Sequence, residues 1–283
     1  MNVVLHEVAS SLKGQSFMYA PIKCPKQIPR ATVVATLEAC ARQLCDVYHS
    51  LSSNFLSNPV EMNWPEVKQA ADEHRYELVL NGSDVSERIE KGGLDRHIFN
   101  LTSLNFLQIS NTKLSALPKE LGNLVNLKTL DLHRNRIQEL PSTIGSLKDL
   151  KNLDLSGNEL QLLPSEMEEL TFLQTLNLNC NNLTALPSLK NLKSLSRLDV
   201  SFNQLTELPE GIYELEHLAE IYASNNSITT ISADVCKLVG LKVLSLNLNK
   251  IELIPVELSL CHKLKVSICL GFHICVIQFC GPW

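Results

Sequence analysis

No run of lysines or arginines occurs anywhere in the 283 residues, and the formal net charge is −5. A general binder of DNA, of other nucleic acid or of a membrane surface needs a basic patch, so those partners are not expected. The nine cysteines are an odd number and contain no CxxC pair, which excludes a closed disulfide set and a zinc site of ordinary spacing. No glycine-rich phosphate loop, nucleophile elbow or HExxH pair appears, so neither catalysis nor a cofactor is expected. The opening "MNVVLHEVASSLKGQ" has no basic n-region and no apolar core of the kind that directs secretion, which gives a cytoplasmic reading. Four Asn-x-Ser/Thr sequons, at Asn81, Asn100, Asn182 and Asn225, read as coincidence in a chain this rich in asparagine.

What the chain does have is leucine at fixed intervals. The pattern LxxLxLxxNxL restarts at Leu104, Leu127, Leu150, Leu173, Leu195, Leu218, Leu241 and Leu264, in steps of 23 residues except for one step of 22. Asparagine holds the ninth position six times, as Asn135, Asn158, Asn181, Asn203, Asn226 and Asn249. A fixed period of this length with these letters resembles a leucine-rich repeat. The fold class that follows is α/β: a leucine-rich-repeat solenoid with a concave parallel sheet and short convex helices or 3₁₀ turns.

Each recurring letter has a physical role. Alternating apolar residues such as Leu130 and Leu132 make a short strand with one buried face. The asparagine turns the chain inward and uses its amide to satisfy backbone groups that burial would otherwise leave unpaired. A Leu-Pro pair follows, as at Leu140-Pro141, and proline opens a helical turn with its φ preset and no N–H to satisfy. Ile144 and Leu147 then point back into the core. No unit buries its apolar side alone, so the units stack.

Four segments result. Residues 62–103 form a cap: Asn63 with Glu66 and Pro65 reads as a helix start, with Trp64, Val67, Ala71, His74 and Leu78 on one helical face. Within that cap, Leu78, Leu80 and Val85 match positions 4, 6 and 11 of a degenerate leading repeat. The array itself covers 104–265. Residues 1–61 form an extension broken by Pro21, Pro25 and Pro29, then patterned for one amphipathic helix through Val33, Leu37, Cys40, Leu44, Val47 and Leu51; Met62 offers a natural start just after it. At the other end, residues 266–283 have no acidic residue, lysine or arginine, and Ser267 and Cys269 stand where positions 4 and 6 need leucine, so the strand pattern fails. That tail reads as translated intron sequence, or as a membrane anchor, although a spanning helix needs about 20 apolar residues and His273 and Gln278 interrupt this one. Val266, Ile268 and Leu270 alternate and offer a crude edge strand.

Side chains at positions 3, 5 and 7 of each unit point to the concave face, because side chains alternate along a strand. Position 5 brings Asp131, Asp154, Asp199 and Tyr222; position 3 brings Arg197; position 7 brings His133; Arg134 and Phe202 are assigned to the same trough. Asp131, His133 and Asp154 have the donor atoms of a metal or catalytic group, but an open trough gives no dry pocket, and no metal is assigned to them. Arg and Tyr are frequent interface anchors, so the face as a whole reads as the binding site of a protein partner.

The 23-residue form "LPxxIGxLxxLxxLDLSxNxL" resembles intracellular leucine-rich-repeat proteins of the Ras-scaffold type. The stretch "NWPEVKQAADEHRYELVLNGSDVSERI" resembles the cap of the family of leucine-rich repeat-containing protein 47, in a truncated or mis-spliced form. Members of that family carry, after the repeats, a domain similar to the B3/B4 module of the phenylalanyl-tRNA synthetase β subunit. The resemblance therefore implies a link to RNA and translation, through a domain no residue here represents; no synthetase residue maps onto this chain. Two functions follow: a non-catalytic protein-interaction scaffold, or a fragment of a translation-associated RNA-binding protein.

Overall fold

Ten strands of three to six residues, laid side by side in chain order, make an open sheet in which the first nine run parallel. The computed structural model describes residues 64–270 and 273–275. The helix read across residues 33–51 lies outside the described residues. Two helices, α1 (Pro65–Asp72) and α2 (Ser83–Gly92), flank the first strand, β1 (Glu77–Asn81). Strands β2 (Phe106–Ser110), β3 (Thr129–Asp131), β4 (Asn152–Asp154), β5 (Thr175–Asn177), β6 (Arg197–Asp199), β7 (Glu220–Tyr222) and β8 (Val243–Ser245) follow at the repeat spacing. The sheet ends with β9 (Lys265–Leu270), parallel to β8, and β10 (His273–Cys275), antiparallel to β9.

The register is the one the leucines dictate. Leu107, Leu130, Leu153, Leu176, Leu198, Ile221 and Leu244 are partners in successive strand pairs, and each is buried. Between strands, the Leu-Pro pairs lead into 3₁₀ turns such as Ser142–Ser146, with the proline one residue ahead as the N-cap. Ile144 and Leu147 from this turn are fully buried. Successive turns approach closely: a Cβ on Gly145 would lie 2.7 Å from the Glu166 carbonyl oxygen, so only glycine fits. The 22-residue unit has no 3₁₀ turn among the described residues; the missing residue is the one that would have completed it.

The asparagines form a ladder. The Asn158 Oδ1 accepts from Ile137 N at 3.0 Å, and its Nδ2 donates to Leu132 O at 3.0 Å and Leu155 O at 2.9 Å. Asn181, Asn203, Asn226 and Asn249 repeat the same three bonds one unit further on each time. In the first unit Thr112 replaces asparagine at position 9, and its hydroxyl donates to Asn135 Oδ1 at 2.8 Å.

The cap departs from the expectation in two details. The helix ends at Asp72, so Leu78 belongs to β1, where it pairs with Leu107, and Ala70 rather than Ala71 is the buried alanine. Asn63, read as the start of the capping box, lies outside the described residues. Trp64 is the N-cap, and its N–H donates to the buried Asp95 carboxylate at 2.9 Å. Glu66 faces α2 instead and takes both nitrogens of Arg88 at 2.9 Å, while that guanidinium lies 4.7 Å from the Trp64 ring centroid. The Arg88 hydrogen bonds hold the Glu66 carboxyl below its ordinary value of 4.5. A carboxyl with a depressed folded-state pKa stabilises above its unfolded value, and the contribution fades as pH falls through the folded one. Glu66→Gln should therefore lower the melting temperature at neutral pH and leave it unchanged well below pH 4.5. A melt series across pH checks this; an equal loss at both extremes would mean the carboxylate charge plays no part.

The tail corrects a second expectation. Lys265 pairs with Val243 and Val266 with Leu244, one residue earlier than the leucine count from Leu264 assigns. This slip pairs Val266, not Ser267, with Leu244, and a strand forms where the pattern had failed. The strand read from Val266, Ile268 and Leu270 is present as β9, but it is not the edge: β10 pairs along its outer side.

Candidate functional site

The concave face is built by the outward residues of the strands. Its best-defined feature is a three-residue cluster across β6 and β7. Arg197 donates to Glu220 Oε2 at 3.0 Å, its guanidinium lies 4.7 Å from the Tyr222 ring centroid, and the Tyr222 hydroxyl donates to the same carboxylate oxygen at 3.3 Å. Partial burial, then the neighbouring Glu220 charge, raises the Tyr222 phenol above its ordinary range, so it stays protonated and able to donate. About half of Arg197 remains open to solvent, at 49%.

The position-5 acids share one local job. The Oδ1 of Asp131, Asp154 and Asp199 accepts the backbone N–H two residues on, from His133, Ser156 and Ser201, at 3.1, 2.9 and 3.0 Å. Asn177 holds the same N–H of Asn179 at 3.2 Å with its amide oxygen. These side chains end each strand by satisfying the donor that the turn releases. Asp131 also accepts from His133 Nδ1 at 2.6 Å, and Asp154 Oδ2 accepts from Asn177 Nδ2 at 3.0 Å. Asp131 and Asp154 are register partners. Among the described residues no group of three or more His, Cys, Asp or Glu is arranged to hold a metal ion.

Six of the eight residues assigned to the trough from sequence, Asp131, His133, Asp154, Arg197, Asp199 and Tyr222, stand at concave-face positions of β3 to β7 or in the residues just after. Arg134 and Phe202 do not. They occupy position 8, beyond the strand end, where the backbone takes φ values of 54° and 55°. The whole column does so: Asn111, Arg134, Gly157, Cys180, Phe202, Asn225 and Leu248 all lie between 54° and 66°. The left-handed residue swings the chain so that the following asparagine enters the core, and its N–H continues the ladder, as from Phe202 to Ser224 O at 2.8 Å. Holding a bulky side chain there costs about 1–2 kcal/mol. Phe202 and Leu248 are left 53% and 66% exposed on the rim beside the trough. Asparagine or glycine at some of these positions was the available signal for this column, and Arg134, Phe202 and Leu248 obscured it. Glu220 was also missed as a partner of Arg197; adjacent position-3 residues of opposite charge are the signal that finds it.

The family model of the leucine-rich repeat region matches residues 78–158 and 144–269. The chain belongs to the leucine-rich-repeat family. Solved structures agree. A leucine-rich-repeat protein of Leptospira interrogans is 38% identical over 61% of this chain and 44% of its own, with a TM-score of 0.60. An internalin of Listeria monocytogenes is 25% identical over 62% of this chain and 50% of its own, at 0.56. The Arabidopsis receptor kinase HAESA, in complex with the peptide hormone IDA and the co-receptor SERK1, is 33% identical over 60% of this chain and 31% of its own, at 0.53. This leucine-rich-repeat chain thus spans half or less of the length of these relatives. No curated protein matches it. Among the described residues no helix is long and apolar enough to cross a membrane.

Proposed function

We propose that this leucine-rich-repeat protein is a non-catalytic, cytoplasmic interaction scaffold whose concave face holds a protein partner. The observation that carries the reading is the Arg197–Glu220–Tyr222 cluster, a half-exposed guanidinium and a phenol fixed side by side on an open sheet face. Fixed arginine and tyrosine side chains lose little entropy on binding, which is why they serve as anchors. Support also comes from relatives: HAESA holds a peptide hormone, and the plant receptor RGFR1 was solved in complex with RGF2. The free thiols of Cys180, Cys236 and Cys261 suit a reducing compartment.

The cap stretch from Trp64 supports kinship with the family of leucine-rich repeat-containing protein 47, and with it the RNA link. The position-5 carboxylates argue against RNA on this face, since they repel phosphate. Arg197→Ala with Tyr222→Ala should reduce partner capture about tenfold or more, while the circular dichroism spectrum stays the same. Quantitative capture from cytosol by immobilised wild type and double variant, followed by crosslink mapping, is the measurement. Equal capture by both would move the interface off the concave face.

A further inference from the structure

We infer that the occupant of the concave face is an extended, arginine-bearing protein segment that sets its cations on Asp131, Asp154 and Asp199; this rests on the binding role proposed for that face. Across β1 to β8, five carboxylates stand at positions 3 and 5, Glu77, Asp131, Asp154, Asp199 and Glu220, against one guanidinium, Arg197, which already pairs with Glu220; the other cation of these columns, Lys265, stands on β9 at the far end of the sheet. An exposed sheet face of this sign is complementary to a cation.

The charge is not needed by the fold. Each aspartate caps a backbone N–H, and Asn177 performs the same task in the same column without charge. Asp131 and Asp154 moreover sit on paired residues of neighbouring strands, where like charges are destabilising. The chain relieves them through the His133 ring, the Ser156 hydroxyl and the Asn177 amide, none of which is a lysine or arginine cation. Among the described residues no lysine or arginine forms an ion pair with Asp131, Asp154 or Asp199, and the second carboxylate oxygens of Asp131 and Asp199 accept no hydrogen bond. A surplus, mutually repelling column that folding does not require is explained by a cation brought from outside.

The face also displays how it would hold one. Arg197 lies between a carboxylate and an aromatic ring, and Asp199 is the register partner of that ring's residue, Tyr222. The width of the occupant follows from the rims. Lys128, Lys151 and Lys242 stand exposed just before their strands, and Arg134 just after β3. A broad basic surface would meet these groups, whereas a single extended segment places its cations on the floor between them.

The test uses the full chain and a short fluorescent peptide of alternating arginine and serine, with a glutamate–serine peptide and an oligouridylate of equal length as comparisons. The arginine peptide should bind, more weakly as salt rises, and the other two should not. Asp131→Asn, Asp154→Asn and Asp199→Asn together should weaken it about tenfold and flatten the salt dependence, at an unchanged melting temperature. A control removing equal charge elsewhere, Glu139→Gln, Glu216→Gln and Glu252→Gln, should leave binding as in wild type. Should the triple aspartate variant melt early, the single Asp199→Asn is read in its place and should show a smaller loss of the same kind. Equal losses in the aspartate and glutamate variants, no binding of the arginine peptide, or tighter binding of the oligouridylate would overturn the proposal. If captured protein depends on Arg197 and Tyr222 but not on the three aspartates, the binding face stands and the cationic occupant falls.

Discussion

Asn158→Ala should destabilise this protein by about 3–6 kcal/mol, while Asn182→Ala, at an exposed asparagine one unit further on, should change stability by less than about 0.5 kcal/mol. The difference lies in what each amide holds. Asn158 is 7% exposed and satisfies one buried N–H and two buried carbonyls contributed by two adjacent units. Alanine leaves all three groups dry and unpaired, and each such group costs about 1–3 kcal/mol. Asn158→Asp is a sharper probe. It keeps the acceptor for Ile137 N but turns a donor toward two carbonyls into a carboxylate, so it should cost at least as much as alanine. Urea unfolding of the three variants gives the comparison. An Asn158→Asp variant as stable as wild type would mean that the ladder is not satisfied as the structure has it.

The leucine and asparagine columns were legible because each letter recurs for one reason that no neighbour can supply. A buried strand residue must be apolar, and a buried turn must carry a side chain that both donates and accepts. Sequence reading fails where one conformation is reached by several residue types. The left-handed position 8 is filled by asparagine, arginine, glycine, cysteine, phenylalanine and leucine, because the interlocked hydrogen bonds on either side impose the backbone whatever the side chain. The cap fails for a different reason. Asn63 and Glu66 have the spacing of a local capping box, yet Trp64 is the N-cap, Glu66 pairs with Arg88 on another helix, and Asp95 takes the Trp64 N–H from 31 residues away. Tertiary contacts of that kind leave no local pattern. The slip at β9 is a third case, in which the register pairs Val266 with Leu244, one residue off the count from Leu264.

The concave face was legible as a surface and only partly as a site. Alternation alone assigns Asp131, Asp154, Arg197, Asp199 and Tyr222 to it, since nothing but strand geometry is needed. What alternation does not supply is the capping bond that explains why a small acceptor recurs at position 5. That bond spans two residues and belongs to the strand end. Once it is recognised, each aspartate has one oxygen that serves the strand end, while the second is left without a hydrogen bond in Asp131 and Asp199 and is held by the Asn177 amide in Asp154.

Leu153→Ala should cost about 2–5 kcal/mol, and Lys151→Ala, two residues away on the same strand approach, less than about 0.5 kcal/mol. Leu153 is 1% exposed and lies between Leu130 and Leu176, its partners in the adjoining strands, so truncation opens a cavity bordered by two units at once. Lys151 is exposed, and what it contributes to the sheet is its backbone: its carbonyl accepts from Gln174 N at 2.8 Å and Thr175 N at 3.0 Å, bonds that alanine keeps. In a stacked array stability is a sum of unit and interface terms, so the position of a defect matters as well as its size. A cavity at the centre weakens both interfaces of one unit and splits the array into two shorter stacks, each less able to hold itself together. The unfolding transition of Leu153→Ala should therefore broaden as well as shift, with amides of the units around residue 153 exchanging faster than those near β2. Equal midpoints for the two variants would mean that the strand register is wrong. A sharp, merely shifted transition would mean instead that the array unfolds as one cooperative body.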